Sequence, residues 1–319
     1  MKIFLTGKLP DFALKELRKM HIVNVHTGKI PISRAKLLSG ICNADGLVCF
    51  PFDSIDQDVI DSAIHLKAIC TFSVGFDHID VKYAKSKNIQ IGYTPDVLTE
   101  ATADLAFSLI LDVTRRVTES DRIIRAGKWT KPYGAVEFVG TGLQSKTLGI
   151  LGMGRIGQAL AKRAAVFGMK TSYYNRHRLS NNVEKSLGVK YSSFSGLISK
   201  SDIISVHVPY TKDTHGMINA AFFKKMKKTA ILVNTARGKI VNQRDLTIAL
   251  KRNEIGGAGL DVFESEPLQK GDPLTKLNNI VLSAHIGSST VQTRDEMARL
   301  TIKNLNLGMA GKKPVHFVE

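Results

Sequence analysis

TLGILGMGRIGQALAKRAAVFGMKTSYYN, Thr147 to Asn175, carries the strongest structural signal in the chain. Leu148, Gly149, Ile150 and Leu151 form a short apolar run that leads into Gly152-Met153-Gly154-Arg155-Ile156-Gly157. Ala159, Leu160, Ala164 and Phe167 then recur at helical spacing, and a second strand is predicted over Lys170 to Tyr174. Strand, glycine turn, helix, strand is the opening unit of a dinucleotide-binding fold. Gly152 permits the tight turn, Gly154 lets backbone approach a pyrophosphate, and Gly157 lets the helix lie close to the strand. The free amides and the dipole at the helix N-terminus favour the phosphates. A lone GxGxxG says little; inside this frame it is specific.

Around that unit, the 319 residues suit two domains rather than one core. With 43% hydrophobic and 23% charged residues the composition is that of an ordinary globular protein. No apolar run approaches the roughly 18 residues of a membrane span. The run before Gly7 and Pro10 is too short for a secretory signal, so a cytoplasmic protein is expected. Cys42, Cys49 and Cys70 form no CxxC pair and read as small buried hydrophobes, with no metal site expected. The net charge of +17 raises nucleic acid as a partner, but the lysines are spread along the chain. Their densest cluster, Lys224, Lys225, Lys227 and Lys228, flanks Met226 at a predicted helix end. Without zinc spacing or aromatic-basic interleaving, nucleic-acid binding is not expected; the diffuse field instead favours anionic substrates and cofactors.

Residues 1 to about 95 alternate strands at Ile3–Leu5, Ile22–Val25, Gly46–Phe50, Ala68–Cys70 and Ile89–Ile91 with short helices. From Thr99, Leu105, Leu109, Val113 and Val117 mark one helix running to about Arg125, roughly 40 Å long, which Gly127 stops. After the glycine turn, strands are predicted at Asp202–Val208, Ala230–Val233, Ala258–Val262 and Asn279–Ser283, and a last helix at Thr290–Met309. The reading is α/β: two doubly wound parallel-sheet domains, the second inserted into the first. A flavodoxin-like substrate domain takes residues 1–95 and 288–319, a Rossmann dinucleotide-binding domain takes 96–287, and ligands are expected in the cleft between them.

Three late segments place reactive side chains just after strands: Asn234-Thr235-Ala236-Arg237-Gly238, Gly259 to Pro267, and Ala284 to Thr290. Parallel strands align their C-terminal ends, so Arg237, Glu266 and His285 are expected to converge. Arginine holds a carboxylate in a bidentate fork. Histidine gives a proton to a carbonyl oxygen as hydride reaches carbon, and a carboxylate behind it favours the imidazolium and orients the ring. Singly, each has a plain reading as a surface ion pair, a turn or a structural histidine. Together, beside a nicotinamide, they describe reduction of a 2-oxo acid.

The acidic residue that grips the ribose 2′-hydroxyl in NAD enzymes belongs at the end of the second strand. Here that position reads Asn175-Arg176-His177-Arg178. With no carboxylate to repel a 2′-phosphate and two arginines to pair with one, NADPH is preferred over NADH; the alternative is that this basic loop is only a solvated surface.

GILGMGRIGQALAKRA, VHVPYTKDTHGMIN, ILVNTARGKIVN, GAGLDVFESEP and SAHIGSST, in this order, resemble the D-isomer-specific 2-hydroxyacid dehydrogenases, from the first strand to the last helix. SVGFDHID, TPDVLTEATADLAFSLIL and HIGSST look most like the glyoxylate/hydroxypyruvate reductase branch. The resemblance implies that Arg237 binds substrate carboxylate and keto oxygen, that His285 is the acid/base, and that Glu266 is its partner. It implies that the Val74 and Gly75 amides hold the carboxylate and that Ser288 sits at the substrate. Asp261 would hold the nicotinamide carboxamide, with Thr102, Thr235 and Ala236 alongside. Gly152, Gly154, Arg155, Ile156, Gly157, Asn175, Arg176, Arg178, His207, Val208, Pro209 and Thr214 complete the implied cofactor site. His207 and His215 shape its rim, and His78 structures its own loop. A homodimer through the cofactor domain is implied, with Phe138 the candidate lid residue lent to a partner subunit. Within the family, 2-ketogluconate reduction and 3-phosphoglycerate oxidation stay open as alternatives. Outside catalysis, so does a dinucleotide-sensing co-regulator.

Overall fold

The computed structural model describes residues 1–318; Glu319, the end of the tail, lies outside the described residues. The chain divides into two units: Met1–Leu98 with the segment from Ser288 onward, and Thr99–Gly287 inserted between them.

In the first unit, β1 (Lys2–Leu5), β2 (Ile22–Val25), β3 (Gly46–Cys49), β4 (Ala68–Thr71) and β5 (Gln90–Gly92) form one sheet in the order β2-β1-β3-β4-β5. Every pairing is parallel. β3 and β4 are buried at all four positions, as their largely apolar sequences require of a parallel sheet covered on both faces. The Val291–Met309 helix, capped by the Thr290 side chain on the Thr293 amide, lies across β3, β4 and β5.

The second unit holds β6 (Thr147–Leu151), β7 (Lys170–Tyr174), β8 (Val189–Tyr191), β9 (Ile203–Val206), β10 (Ile231–Asn234), β11 (Gly257–Leu260) and β12 (Ile280–Leu282). Their order is β12-β11-β10-β9-β6-β7-β8, again all parallel. Successive residues feed opposite faces: Ile150 and Val233 join one core, Leu151 and Leu232 the other. The strand order reverses between β6 and β9, the switch point outside whose carboxyl ends such sheets bind ligands.

One expectation needs correction, and two elements were not anticipated. The helix expected over Thr99–Arg125 is two helices, Thr99–Arg115 and Val117–Arg125, because Arg116 adopts a left-handed conformation with φ 58°. Asp112 caps the second helix through the Thr118 amide at 2.7 Å, and Arg116 pairs with Glu119 at 2.8 Å while covering the Phe138 ring. The helix Asn181–Leu187 and the edge strand β8 had no counterpart in the sequence reading. β8 has three residues and buries only Val189, so it leaves no periodicity to detect.

Cys49 and Cys70 are buried free thiols, and Cys42 is half-buried. No described helix is long and apolar enough to cross a membrane. Val117, Ile124, Trp129, Tyr133, Val136 and Val139 stand exposed in one continuous stretch of the inserted unit.

Candidate functional site

At the carboxyl edge of the seven-stranded sheet, the turns after the adjacent strands β10, β11 and β12 carry Arg237, Glu266 and His285. His285 Nδ1 lies 2.6 Å from Glu266 Oε2, and Glu266 Oε1 accepts the Phe263 amide at 2.9 Å, so both carboxylate oxygens are fixed. Burial alone would raise the Glu266 carboxyl. The hydrogen bond and charge of His285, the Phe263 amide and the nearby Arg237 guanidinium outweigh it and hold the carboxyl below its ordinary value. With Nδ1 committed, His285 Nε2 has no hydrogen-bond partner among the described residues.

The histidine sits in a strained backbone. His285 has φ 53°, a left-handed conformation that a non-glycine residue keeps only when its surroundings impose it. Asp261, 1% exposed, supplies the restraint. Its carbonyl accepts the His285 amide at 2.9 Å, and its carboxylate accepts the Ser283 hydroxyl at 2.7 Å and the Ile286 and Gly287 amides at 2.8 and 2.9 Å. Asp261 is also the residue that the resemblance implies at the nicotinamide carboxamide, and its Oδ2 accepts only the Gly287 amide among the described residues. Thr102 reaches the same place from the Thr99–Arg115 helix: a Cβ on Gly287 would stand 3.4 Å from its methyl.

Arg237 is set by Asn234, a fully buried residue that the sequence reading did not single out. Asn234 donates to the Arg237 carbonyl at 2.9 Å and accepts the Ala236 amide at 3.0 Å, bending the chain out of β10. Gly238 follows, and a Cβ there would fall 1.9 Å from the carbonyl carbon of Phe263. Only glycine lets the Arg237 turn lie backbone to backbone against the turn that carries Glu266.

The glycine motif is tight at two positions and open at the third. Gly152 has φ 100°, and a Cβ on it would strike the His207–Val208 peptide at 2.6 Å. One on Gly157 would meet the Gly152 carbonyl oxygen at 2.4 Å, whereas one on Gly154 would meet nothing within 4 Å. Gly154 caps the Arg155–Val166 helix without a side-chain bond, leaving Arg155, Ile156 and Gly157 at an open N-terminus. Thr235 Oγ1 is buried without a partner among the described residues, a polar atom awaiting a ligand. These features fit the dinucleotide that the sequence implies.

Around the motif, Asn175 accepts the Met153 amide at 2.7 Å and so braces the turn. His207 bonds Ser205 at 2.8 Å, and burial pushes its imidazole down to about 4, which keeps it neutral. Thr214 donates to the Pro209 carbonyl at 2.8 Å, and His215 contacts the Tyr210 hydroxyl at 3.2 Å. The two arginines of the loop differ. Arg178 forms a two-pronged pair with Glu184 at 2.9 and 2.8 Å, and Glu184 also accepts the Tyr173 hydroxyl. Arg176 is exposed and has no partner among the described residues. Phe138, the expected lid residue, stacks on Tyr133 at 5.1 Å beneath the Arg116 guanidinium.

In the first unit, the Val74 and Gly75 amides have no acceptor among the described residues, which suits an anion. Their loop is braced from behind: Ser73 donates to the Gly75 carbonyl, Thr71 bonds Ser73 at 2.7 Å, and His78 Nε2 meets Thr71 at 3.0 Å. Ser288 is half-buried and its carbonyl accepts the Thr290 amide at 3.0 Å. Among the described residues no group of His, Cys, Asp or Glu could hold a metal ion.

Residues 107–287 match the family model described as the NAD binding domain of D-isomer specific 2-hydroxyacid dehydrogenases. The chain is 45% identical over 314 residues to the glyoxylate reductase of Thermofilum pendens, covering 98% of this chain and 93% of that one. A solved Thermus thermophilus protein superposes with a TM-score of 0.93 at 42% identity, with 100% of both chains covered. The NADPH-dependent glyoxylate/hydroxypyruvate reductase of Sinorhizobium meliloti, solved with NADP and malonate, matches at a TM-score of 0.84 and 29% identity, covering 99% of this chain and 96% of that one.

Proposed function

The chain belongs to the D-isomer-specific 2-hydroxyacid dehydrogenases, and from that premise we propose that it reduces glyoxylate or hydroxypyruvate to the D-2-hydroxy acid with NADPH. The observation that carries this reading is the His285–Glu266 pair at 2.6 Å with Nε2 left unpartnered, on the strand end next but one to Arg237. When bound, the nicotinamide supplies hydride to the carbonyl carbon. His285 Nε2 gives the carbonyl oxygen its proton, Glu266 orients the ring through Nδ1, and Arg237 holds the carboxylate and keto oxygen. The family resemblance further assigns the Val74 and Gly75 amides to the carboxylate and Ser288 to the substrate.

The preference for NADPH rests on Arg176, whose free guanidinium suits a 2′-phosphate, and on the absence of a carboxylate at Asn175. Arg178 contributes less, because Glu184 already holds it. The acting species is a homodimer. The exposed apolar stretch from Val117 to Val139 is the surface we assign to it, since monomers rarely leave such a patch to water.

Loss of reduced-cofactor absorbance across a panel of 2-oxo acids, with NADPH and NADH in parallel, tests the whole reading. Turnover of glyoxylate and hydroxypyruvate with a higher kcat/KM for NADPH is expected. Dinucleotide binding with no turnover of any 2-oxo acid would replace it with the sensor reading.

A further inference from the structure

Arg34, Arg116, Arg125, Arg163 and Arg178 each pair with a carboxylate. Arg294 does not. Its partners are the Ser289 hydroxyl at 2.9 Å and the Phe72 ring, whose centroid lies 5.5 Å from the guanidinium carbon; it has no acidic neighbour within ion-pair distance among the described residues. Burial pushes this guanidinium below its ordinary value, and a guanidinium keeps its charge in a protein. Five N–H donors serve one hydrogen bond. A partly dehydrated cation with no counter-ion costs stability in the free protein. A binding site has use for one.

Its position says what it binds. Ser289 follows Ser288, and Phe72 precedes the Ser73-Val74-Gly75 turn, so Arg294 touches the immediate neighbour of each first-unit segment assigned to the substrate. It projects from the first turn of the Val291–Met309 helix, whose dipole also favours an anion. Phe72 meets Phe50 at 5.5 Å, and Phe50 stacks on Phe52 at 5.6 Å, so aromatic rings line this part of the carboxyl edge of the five-stranded sheet. A low-dielectric wall of this kind strengthens the contact between the guanidinium and a paired anion.

We propose that Arg294 recognises a second anionic group on the substrate, a carboxylate or phosphate at the end remote from the 2-oxo acid, so that the acids reduced include dianions. This rests on the 2-oxo acid reading above and names the substrate class within it. Glyoxylate has no such group and leaves Arg294 unused; a dianion engages both ends.

The test compares wild type, Arg294→Met and Arg294→Lys with glyoxylate, oxaloacetate and 3-phosphohydroxypyruvate as substrates. A second arm measures calorimetric binding of D-malate and glycolate to cofactor-free protein. The wild type is expected to reduce at least one dianion, and which one responds tells carboxylate from phosphate. In Arg294→Met the ratio of dianion to glyoxylate kcat/KM falls about ten-fold, the loss of one charge-assisted contact, mainly through KM. Malate binding weakens about as much relative to glycolate, and Arg294→Lys restores part of both. Equal losses for glyoxylate and the dianions, or malate and glycolate binding that shift together, would overturn the proposal. If no 2-oxo acid is reduced at all, the preceding reading fails, and the malate arm still decides Arg294.

Discussion

The turn after β12 and the turn after β7 leave the same edge of one sheet and are built to different standards. In the first, the His285, Ile286 and Gly287 amides and the Ser283 hydroxyl all end on Asp261, and His285 Nδ1 ends on Glu266. One ring nitrogen is left. In the second, Asn175 braces the glycine turn and Arg178 is bound to Glu184, while Arg176 and His177 stand in solvent without a partner among the described residues. On the proposed mechanism His285 is the proton donor and must be in place before the reaction, a requirement that a backbone held in the left-handed region meets. On the proposed reading Arg176 only chooses between two cofactors, and a charge with that task can be ordered by the ligand itself.

This contrast ranks the effects of substitution. The largest belongs to His285→Ala, expected to lower kcat about 10³-fold if the ring is the general acid proposed above. Single-turnover rates that fell less than ten-fold would show that the fixed turn is not the reacting end. Next comes Asp261→Asn, whose amide nitrogen cannot accept the backbone donors that the carboxylate now holds. A loss on the order of 10²-fold in kcat with a lowered Tm is expected as the histidine loses its aim. A normal kcat in this variant would mean that the turn holds itself.

On the looser side, Arg176→Ala should raise KM for NADPH about ten-fold and leave KM for NADH nearly alone, as loss of one arginine–phosphate contact implies. Arg178→Ala should move KM less and Tm more. Reversal of that order would make Arg178 the selector and Glu184 its holder. The smallest effect concerns pH. Arg178 first, then Tyr173, hold the Glu184 carboxyl down to about 2 from an ordinary 4.5. The folded chain therefore binds fewer protons there than the unfolded one. That stabilisation is present above pH 4.5 and fades as pH falls towards about 2. The Tm gap between wild type and Glu184→Gln should be widest near neutrality and narrow on acidification; a gap independent of pH would show that packing, not charge, sets it.

What the sequence made legible follows the same division. The glycine turn was readable because Gly152 and Gly157 answer local steric demands and Gly154 leaves the helix N-terminus open, and the αβ alternation because buried parallel strands are largely apolar runs. The order of Arg237, Glu266 and His285 could be read from strand-ending motifs, since β10, β11 and β12 are neighbours in the sheet as well as in the chain. The supports were harder to see. Asn234 and Ser283 act through hydrogen bonds to backbone that no periodicity records. Arg178 looked equivalent to Arg176 until Glu184 was seen to face it. The break at Arg116 was hidden because Val117 continues the apolar spacing across it, while Asp112 and Glu119 end one helix and begin the next.

The contact between Gly238 and the Phe263 carbonyl bears on how enzymes of this kind are remodelled. Two main chains that touch without intervening side chains share one surface, and neither can be recontoured alone. A graft that brings in a new segment for residues 234–241 from a distant donor while leaving residues 261–267 native would misregister both. The pair must be transplanted as a single cassette, or inherited as one.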